Sequence, residues 1–206
     1  MTGKTIPDII VSRLPLYLRS LQRMDEENRK VTSSQELGER LGISAAQIRK
    51  DLSQFGEFGK QGTGYNINFL IEQLCRILHV DQEWDVAVIG AGDIGNAVAR
   101  YKGFKNRGFR VVMIFDDDPD KIGTQIGEFT VSDANDLTES IRNAQIQVAM
   151  IAVPGSNAQN VADRLVEGGI KAILNYAPIN LNVPEDVNVQ YIDPSIHLQR
   201  MTYYLE

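Results

Sequence analysis

The glycine-rich hexapeptide Gly90–Gly95 constrains the fold of this chain more than any other feature of the sequence. It directly follows the apolar run Asp85–Ile89, and a short run that ends at glycine is typical of a buried parallel strand. A helix is predicted to open after the run, which is the context that a GxGxxG motif requires. Gly90 then permits a tight turn, Gly92 lets the backbone approach a pyrophosphate, and Gly95 lets helix and strand pack closely. The alternative is a glycine turn beside a solvated acidic loop.

Strands and helices alternate along the chain after this turn. Predicted helices near residues 94–106, 136–143 and 156–168 separate most of the strands. This alternation predicts a doubly wound parallel sheet, and the change of pattern places its start near residues 80–84. The further strand candidates are Val111–Phe115, Val148–Val153, Ala172–Leu174 and Val187–Ile192.

An acidic residue ends the second predicted strand. Asp116 lies 21 residues after Gly95, where a carboxylate can accept hydrogen bonds from both ribose hydroxyls of a dinucleotide. The next two residues are Asp117 and Asp118, so a 2′-phosphate would face three carboxylates. The sequence therefore predicts NAD(H) rather than NADP(H) as the cofactor.

Two later loops follow strands at the same carboxyl edge, where such sheets keep their ligand crevice. Val153-Pro154-Gly155 follows one strand, and Asn175-Tyr176-Ala177-Pro178 ends the next. These residues border the nicotinamide half of the cofactor or serve only to form the loops, and the pattern leaves both interpretations open.

The first eighty residues carry helical patterns instead. Apolar residues over 8 to about 25 follow a 3.6-residue period and predict an amphipathic helix, in which Pro15 predicts a kink or a restart. Another helix is predicted over residues 68–79, and Phe55–Tyr65 is glycine-rich and aromatic, which suits a short hairpin.

Two capping boxes lie close together in this part of the chain. Ser33 and Glu36 have the spacing that opens a helix, and Gly42 lies where a helix ends in a left-handed residue. Ser44 and Gln47 repeat the spacing and open a second helix. Two short capped helices joined at a glycine have the dimensions of a helix-turn-helix.

The second of these helices carries side chains suited to DNA. Ile48 and Leu52 are predicted to face inward, which leaves Gln47, Arg49, Lys50 and Ser53 for other contacts. Arginine can bond guanine bidentately and glutamine can bond adenine. In the glycine-rich hairpin that follows, Lys60 would lie against the sugar-phosphate backbone as part of a wing. A capped helical hairpin with an exposed charged face fits the spacing equally well.

Composition restricts the other classes of function. The chain has 21 Lys+Arg and 27 Asp+Glu, for a net charge of −6, but the charge is about +2 over residues 1–80 and −8 over 81–206. A single cysteine, Cys75, excludes an intrachain disulfide, and two histidines make a histidine metal site improbable. No stretch has the length of apolar sequence that a membrane span needs, so we expect a cytoplasmic protein.

Together these features resemble the Rex family of redox-sensing transcriptional repressors, bacterial proteins that join a winged helix to a Rossmann domain. The run Arg49-Lys50-Asp51-Leu52-Ser53 with its downstream glycines is much more specific than a general helix-turn-helix pattern. The segments that carry the resemblance are Ile6–Leu18, Thr32–Leu37, Gln47–Gly56, Gly62–Tyr65, Gly90–Gly95, Tyr101–Phe104, Asp116–Gly123 and Ile173–Pro178.

The resemblance implies an α/β chain with an N-terminal winged helix-turn-helix domain (1–80), a C-terminal Rossmann doubly wound parallel sheet (81–193) and a C-terminal helix (194–206) exchanged between subunits. It implies a homodimer that binds a palindromic operator and is released by NADH, so that it senses the NADH/NAD+ ratio without catalysis, metal or membrane.

The resemblance also implies the site residues. The cofactor residues would be Gly90, Ala91, Gly92, Asp93, Ile94, Gly95, Asp116, Lys121, Val153, Pro154, Tyr101 and Asn175. The DNA residues would be Gln47, Arg49, Lys50, Ser53, Gly59, Lys60, Gly62 and Tyr65, and the switch residues Arg13, Tyr101 and Asp193. Local chemistry suggests that Ser195 caps the last helix.

Two other functions use the same residues. A small NAD-dependent dehydrogenase would need an acid–base group near its substrate. The candidates do not form a convincing catalytic set; they are His79, His197 and Tyr101 with Lys102 and Lys105. The other function is a CoA- or nucleotide-binding module with an N-terminal dimerisation arm. Asp116 lies in the ribose position, which favours a dinucleotide over CoA.

Overall fold

The computed structural model describes residues 6–59 and 64–205 of the chain. The chain divides into two compact units, Met1–Gln82 and Glu83–Glu206, and each has its own hydrophobic core. We call them the N-terminal unit and the C-terminal unit. No helix in the described residues is both long and apolar enough to cross a membrane.

The N-terminal unit consists of short helices around one core and a two-stranded ladder. Its core is formed by buried side chains of α2, α3, α4 and α5, and the half-buried Cys75 packs against it. Burial, followed by the negative charge of Asp81, raises the pKa of the Cys75 thiol, which therefore stays protonated at neutral pH. The elements are α1 (Asp8–Val11), α2 (Leu14–Glu26), β1 (Val31–Thr32), α3 (Ser34–Leu41), α4 (Ala45–Leu52), β2 (Tyr65–Asn66) and α5 (Ile67–Ile77).

The predicted helix over residues 8–25 is broken in two. Helix α1 ends at Val11 and α2 begins at Leu14, which makes Pro15 the second residue of the new helix. Proline is tolerated there because the first N–H groups of a helix have no partner within it. The restart that Pro15 predicts is therefore confirmed.

Helices α3 and α4 form the predicted helix-turn-helix. The Ser33 Oγ accepts the N–H of Glu36 at 3.1 Å, and the Ser44 Oγ accepts the N–H of Gln47 at 3.2 Å. Gly42 ends α3 with φ at 67°, a left-handed conformation that glycine adopts without steric cost. These two caps, each worth about 1 kcal/mol, fix where the helices begin.

The ladder β1–β2 was not predicted. Val31 and Thr32 pair antiparallel with Asn66 and Tyr65, so the segment before α3 is joined to the segment before α5. The hairpin predicted over Phe55–Tyr65 includes residues 60–63, which lie outside the described residues.

The C-terminal unit is built on one twisted sheet. Among the described residues it has seven strands in the order β5-β6-β4-β3-β7-β8-β9, and the strands from β6 to β9 in that order run parallel. The chain starts at the central β3, moves outward through β4 and β6, and then crosses to β7 on the other side. This order is that of a doubly wound Rossmann sheet and confirms the predicted fold class. The strands are β3 (Trp84–Ile89), β4 (Phe109–Asp116), β5 (Gln125–Ile126), β6 (Phe129–Asp133), β7 (Val148–Ile151), β8 (Ala172–Asn175) and β9 (Asn188–Tyr191).

The helices cover both faces of this sheet. A core cluster with α7 and α8 lies on one face, and a second cluster with Ala91 and Ala99 lies on the other. The helix predicted over 94–106 is shorter than expected: α6 ends at Ala99, and a 3₁₀ segment, Lys102–Arg107, follows it. The helices are α6 (Asp93–Ala99), α7 (Leu137–Ala144), α8 (Gly155–Gly168) and α9 (Pro194–Thr202).

Helix α9 buries none of its residues within this chain. Its apolar side chains are largely exposed, and so are those that directly follow it: Ile196 at 62%, Leu198 at 61%, Met201 at 62%, Tyr204 at 70% and Leu205 at 80%. An apolar surface of this kind is typical of a protein–protein contact.

Candidate functional site

The turn between β3 and α6 can be formed only by glycine at two of its three glycine positions. Gly90 has φ at +102°, and a Cβ on it would lie 2.4 Å from the carbonyl oxygen of Ala152. A Cβ on Gly95 would lie 1.7 Å from the carbonyl oxygen of Gly90. A Cβ on Gly92 would meet no atom within 4 Å. The turn is therefore tightly packed beneath and open at Gly92, as the approach of a phosphate group requires.

Asp116 holds this turn in place. Its side chain is 5% exposed, and its Oδ2 accepts the N–H of Ala91 at 2.6 Å while its Oδ1 accepts the N–H of Asp118 at 2.9 Å. The Lys121 ammonium lies 3.3 Å from Oδ2. Burial alone would raise the pKa of Asp116, but the two backbone donors and Lys121 lower it below its usual value, so the carboxylate is charged.

The structure thus gives Asp116 a role that the sequence did not indicate. A carboxylate has about four acceptor positions, and the N–H groups of Ala91 and Asp118 and the Lys121 ammonium all donate to this one, so a ribose hydroxyl would have to take the place of Lys121. The ribose contact predicted for Asp116 stays a prediction, as does the cofactor contact predicted for Lys121.

A cavity of about 220 Å³ lies at the carboxyl edge of the sheet, beside Asp116. It is smaller than the 300 Å³ or more of most ligand sites, which suits one half of a dinucleotide rather than the whole. Val153 lines it and Pro154 is the N-cap residue of α8, while the contact of either residue with the nicotinamide half stays a prediction. The cavity is lined by Ile89, Asp116, Asp117, Ala134, Val153, Ser156, Asn157, Asn160, Val161 and Arg164.

The polar residues of α8 in this cavity were missed in the sequence. Ser156, Asn157 and Asn160 lie in its first two turns, and Arg164 donates to the carbonyl oxygens of Ala134 and Asn135. The sequence did contain a signal for these residues, because polar residues directly after Val153-Pro154-Gly155 must project near the carboxyl edge of the sheet.

The hydrogen bonds of the Asn175 side chain are all made within its own loop. The side chain is 0% exposed; its Nδ2 donates to the carbonyl oxygens of Ala177 and Ile179, and its Oδ1 accepts the N–H of Ala177. The structure therefore supports the loop-forming interpretation of Asn175. A contact with the cofactor would require this loop to open.

Two predicted switch residues lie at helix starts in the C-terminal unit. Tyr101 is 48% exposed, precedes the 3₁₀ segment and packs edge-to-face on Phe104 with ring centroids 4.9 Å apart. Asp193 caps α9 by accepting the N–H of Ser195 at 2.8 Å, so the cap is Asp193 rather than the expected Ser195. Hydrogen bonds from Ser195 lower the pKa of Asp193.

In the N-terminal unit, helix α4 presents a basic surface beside a groove. Ile48 and Leu52 are buried as predicted, whereas Arg49 and Lys50 are exposed. The Arg49 Nη1 donates to the Ser34 Oγ at 2.8 Å, which holds one end of the guanidinium over α3. The groove is lined by Ser33, Ser34, Arg49, Leu52, Ser53, Gly56, Glu57, Phe58, Gly59, Gly64 and Tyr65.

The four predicted DNA residues of the wing border this groove or lie outside the described residues. Gly59 packs under Tyr65, since a Cβ on Gly59 would lie 3.0 Å from the tyrosine ring. Burial raises the pKa of Tyr65, so its hydroxyl remains a donor at neutral pH. Lys60 and Gly62 lie in the undescribed segment.

A buried carboxylate lies behind this surface. Asp51, on α4, is 0% exposed and accepts hydrogen bonds from Arg13, Tyr17 and Gln47. Burial would raise the pKa of Asp51, but these donors lower it, so the carboxylate is ionised. Asp51 was not predicted as a site residue, although its position beside the inward-facing Ile48 and Leu52 placed it on the buried face of the helix.

The predicted switch residue Arg13 therefore has its partner within the unit. Its Nε and Nη2 donate to the Asp51 carboxylate at 2.6 and 2.8 Å. Its place in a network that crosses a dimer interface stays a prediction.

No group of three or more metal-ligating side chains occurs in residues 6–59 or 64–205.

Two family models match this chain. The model described as "CoA binding domain" matches residues 81–179, and the model described as "Putative DNA-binding protein N-terminus" matches residues 5–53. The second match falls within the N-terminal unit, and the first falls almost entirely within the C-terminal unit.

The chain is similar over nearly its whole length to curated proteins and to solved structures. The redox-sensing transcriptional repressor Rex of Chloroflexus aurantiacus is 55% identical over 97% of this chain and 94% of that protein. The repressor of the same name from Desulforamulus reducens is 40% identical over 100% of this chain and 98% of that protein. The crystal structure of RSP in complex with β-NAD+ and operator DNA has a TM-score of 0.93 at 40% identity, covering 98% of this chain and 93% of that one. The complex of RSP with β-NADH has a TM-score of 0.90 at 38% identity, covering 98% and 95%.

Proposed function

The chain belongs to the Rex family of redox-sensing transcriptional repressors, and we propose that it binds operator DNA as a homodimer and releases it when NADH binds. One observation carries this proposal: the chain contains both a capped helix-turn-helix and a doubly wound sheet whose glycine-rich β3–α6 turn is open at Gly92. The proposal assigns DNA binding to residues 1–80, nucleotide binding to 81–193 and subunit exchange to 194–206.

The nucleotide would lie across the carboxyl edge of the sheet. The open space at Gly92 fits a pyrophosphate, and the cavity beside Asp116 fits the adenosine half. The charged Asp116, followed by Asp117 and Asp118, would repel a 2′-phosphate, which favours NAD(H) over NADP(H). When bound, NADH supplies an uncharged nicotinamide ring where NAD+ supplies a positively charged one.

DNA would be bound by helix α4 and the groove beside it. Arg49 and Lys50 project from the exposed face of α4, and an exposed helix of this kind enters the major groove in helix-turn-helix proteins. The pair of copies in a homodimer would contact the two halves of a palindromic operator. Helix α9, which is exposed within one chain, supplies apolar surface for that pairing.

The function would be regulatory rather than catalytic, and it would be exerted in the cytoplasm, where operator DNA lies in bacteria. NADH can drive release only if it binds the DNA-incompetent dimer more tightly than the competent one. By linkage, operator DNA then weakens NADH binding by the same factor.

A gel-shift experiment with palindromic operator DNA tests the proposal. The DNA is titrated with the full chain, and the complex is then titrated separately with NADH, NAD+ and NADPH. We expect NADH to release the DNA at the lowest concentration and NADPH to be much less effective. Release by all three at equal concentration would contradict the NADH specificity, and no shift with any palindromic operator would contradict the DNA-binding role.

A further inference from the structure

The Asp51 carboxylate is saturated with hydrogen bonds. Its Oδ2 accepts from Arg13 Nε at 2.6 Å and from the Tyr17 hydroxyl at 2.6 Å, and its Oδ1 accepts from Arg13 Nη2 at 2.8 Å and Gln47 Nε2 at 2.7 Å. Four donors thus surround a side chain with 0% exposure. A buried charge is tolerated only with such a full set of partners, so the arrangement around Asp51 is fixed.

This arrangement sets the orientation of the Gln47 amide. An ionised carboxylate can only accept, so the Gln47 amide must present its nitrogen to Asp51. Within residues 6–59 and 64–205 no hydrogen bond to its Oε1 is found, so this oxygen can accept one from a partner molecule. Gln47 and Asp51 lie four residues apart on α4, one helical turn, so the contact fits the regular helix.

We infer that Asp51 is a positioning residue that holds the Gln47 amide in one orientation for contact with a base edge. The inference rests on the proposed function, because it concerns how α4 meets operator DNA. Gln47 then offers its oxygen as an acceptor together with its second amide hydrogen, the pair that contacts the N6 amino group and N7 of adenine. A glutamine held this way is already ordered, so it does not lose the side-chain conformational entropy that a free glutamine would lose on DNA binding.

The network also joins other parts of the unit to this residue. Arg13 lies in the turn between α1 and α2, and Tyr17 lies in the first turns of α2. These hydrogen bonds join Asp51 to residues 38 and 34 positions away in sequence. Asp51 is therefore the point at which the α1–α2 turn and α2 are hydrogen-bonded to α4.

The test is a scan of operator variants with single base-pair changes, each measured by fluorescence anisotropy with the full chain. Gln47→Ala identifies the base pair that Gln47 contacts, because discrimination at that position disappears. We expect Asp51→Asn to reduce discrimination at the same position by about tenfold or more, the range for one bidentate contact. A merely structural role of Asp51 would weaken binding to every variant and to non-specific DNA by the same factor.

A matched control removes another bidentate arginine–carboxylate pair from the same unit. Glu27 accepts from Arg40 at 2.9 and 2.6 Å, which joins the end of α2 to α3 without a residue of α4, so Glu27→Gln should leave discrimination unchanged at every position. If Asp51→Asn retains wild-type discrimination at the Gln47 position, or if Gln47→Ala reduces discrimination nowhere, the inference is overturned.

A second measurement uses the unmodified chain and stands if Asp51→Asn does not fold. With ¹⁵N-labelled glutamine, one amide proton of Gln47 should resonate downfield and exchange slowly with water, because it is donated to a buried carboxylate. Gln47 amide protons with the shifts and exchange of a free side chain would overturn the inference even in a protein that binds operator DNA. If operator binding itself is absent, the proposed function fails, whereas the NMR result still decides whether Asp51 holds Gln47.

Discussion

At the scale of single residues, the three glycines of the β3–α6 turn have different roles. Gly90 and Gly95 are required by the packing of the turn itself, since a Cβ at either would collide with a carbonyl oxygen. Gly92 has no such neighbour, and we propose that its missing side chain leaves room for the pyrophosphate of the dinucleotide. Substitution of Gly90 or Gly95 should therefore lower the stability of the fold, whereas substitution of Gly92 should weaken nucleotide binding.

Substitutions at Gly92 and Gly95 test this separation. Gly95→Ala places a Cβ 1.7 Å from the Gly90 carbonyl oxygen and should lower the free energy of unfolding by about 1–3 kcal/mol. Gly92→Val should change it by less than about 0.5 kcal/mol but greatly weaken NADH binding, because the side chain fills the open space. Denaturant unfolding and calorimetric NADH titration measure the two effects. Wild-type NADH affinity in Gly92→Val would remove this turn from the binding site.

Residues fixed by near neighbours could be predicted from the sequence, and residues fixed by distant ones could not. The caps Ser33 and Ser44 each bond a backbone N–H three residues away, so a short motif contains all the information. Asp51 is surrounded by partners up to 38 residues away, and its role became visible only in the folded unit. For Asn175, the position at the sheet edge was predictable, but its use by its own loop was not.

At the scale of elements, α4 has one face that packs in the core and one exposed basic face that we propose for DNA recognition. Ile48, Asp51 and Leu52 are buried, whereas Arg49 and Lys50 are exposed. The ladder β1–β2 escaped prediction because strands of two residues carry almost no periodic signal. The 3₁₀ segment after α6 escaped it because the apolar pattern of 94–106 continues through a change of helix type.

Removal of the two cations from α4 should abolish specific DNA binding. We expect Arg49→Ala/Lys50→Ala to weaken operator binding by about 100-fold or more. The slope of log affinity against log salt concentration should become less steep, by about one for each phosphate that the variant no longer binds. NADH affinity should stay within about twofold of wild type, because the cofactor residues are proposed to lie in the other unit. Fluorescence anisotropy over a salt series, with NADH calorimetry alongside, gives both values.

A double variant with the same change of charge elsewhere in the N-terminal unit provides the control. Lys30→Ala/Arg76→Ala removes one cation from the loop directly before β1 and one from the last turn of α5, and it should retain most of the operator affinity. Equal weakening in the two double variants would mean that affinity comes from the overall charge of the unit rather than from α4.

At the scale of the whole molecule, the uneven charge becomes understandable. The chain carries −6 in total, but the part before residue 81 carries about +2 and the rest about −8. The acidic C-terminal unit would repel phosphate groups and confine DNA to the N-terminal unit. The dinucleotide would bind through the backbone N–H groups of the β3–α6 turn rather than through cations. A chain of net negative charge can thus bind DNA, provided that a local group of cations such as Arg49 and Lys50 meets the phosphates and is doubled by dimerisation.

The coupling between the two ligands is measured by the affinity for NADH in the presence and absence of operator DNA. Calorimetric titrations of NADH into the full chain are carried out at one salt concentration, with and without a saturating palindromic duplex. We predict that operator DNA weakens NADH binding by at least about fivefold, and by the same factor as NADH weakens operator binding. An NADH affinity unchanged by saturating operator DNA would contradict the proposed mechanism, because a ligand that binds both states equally cannot release the DNA.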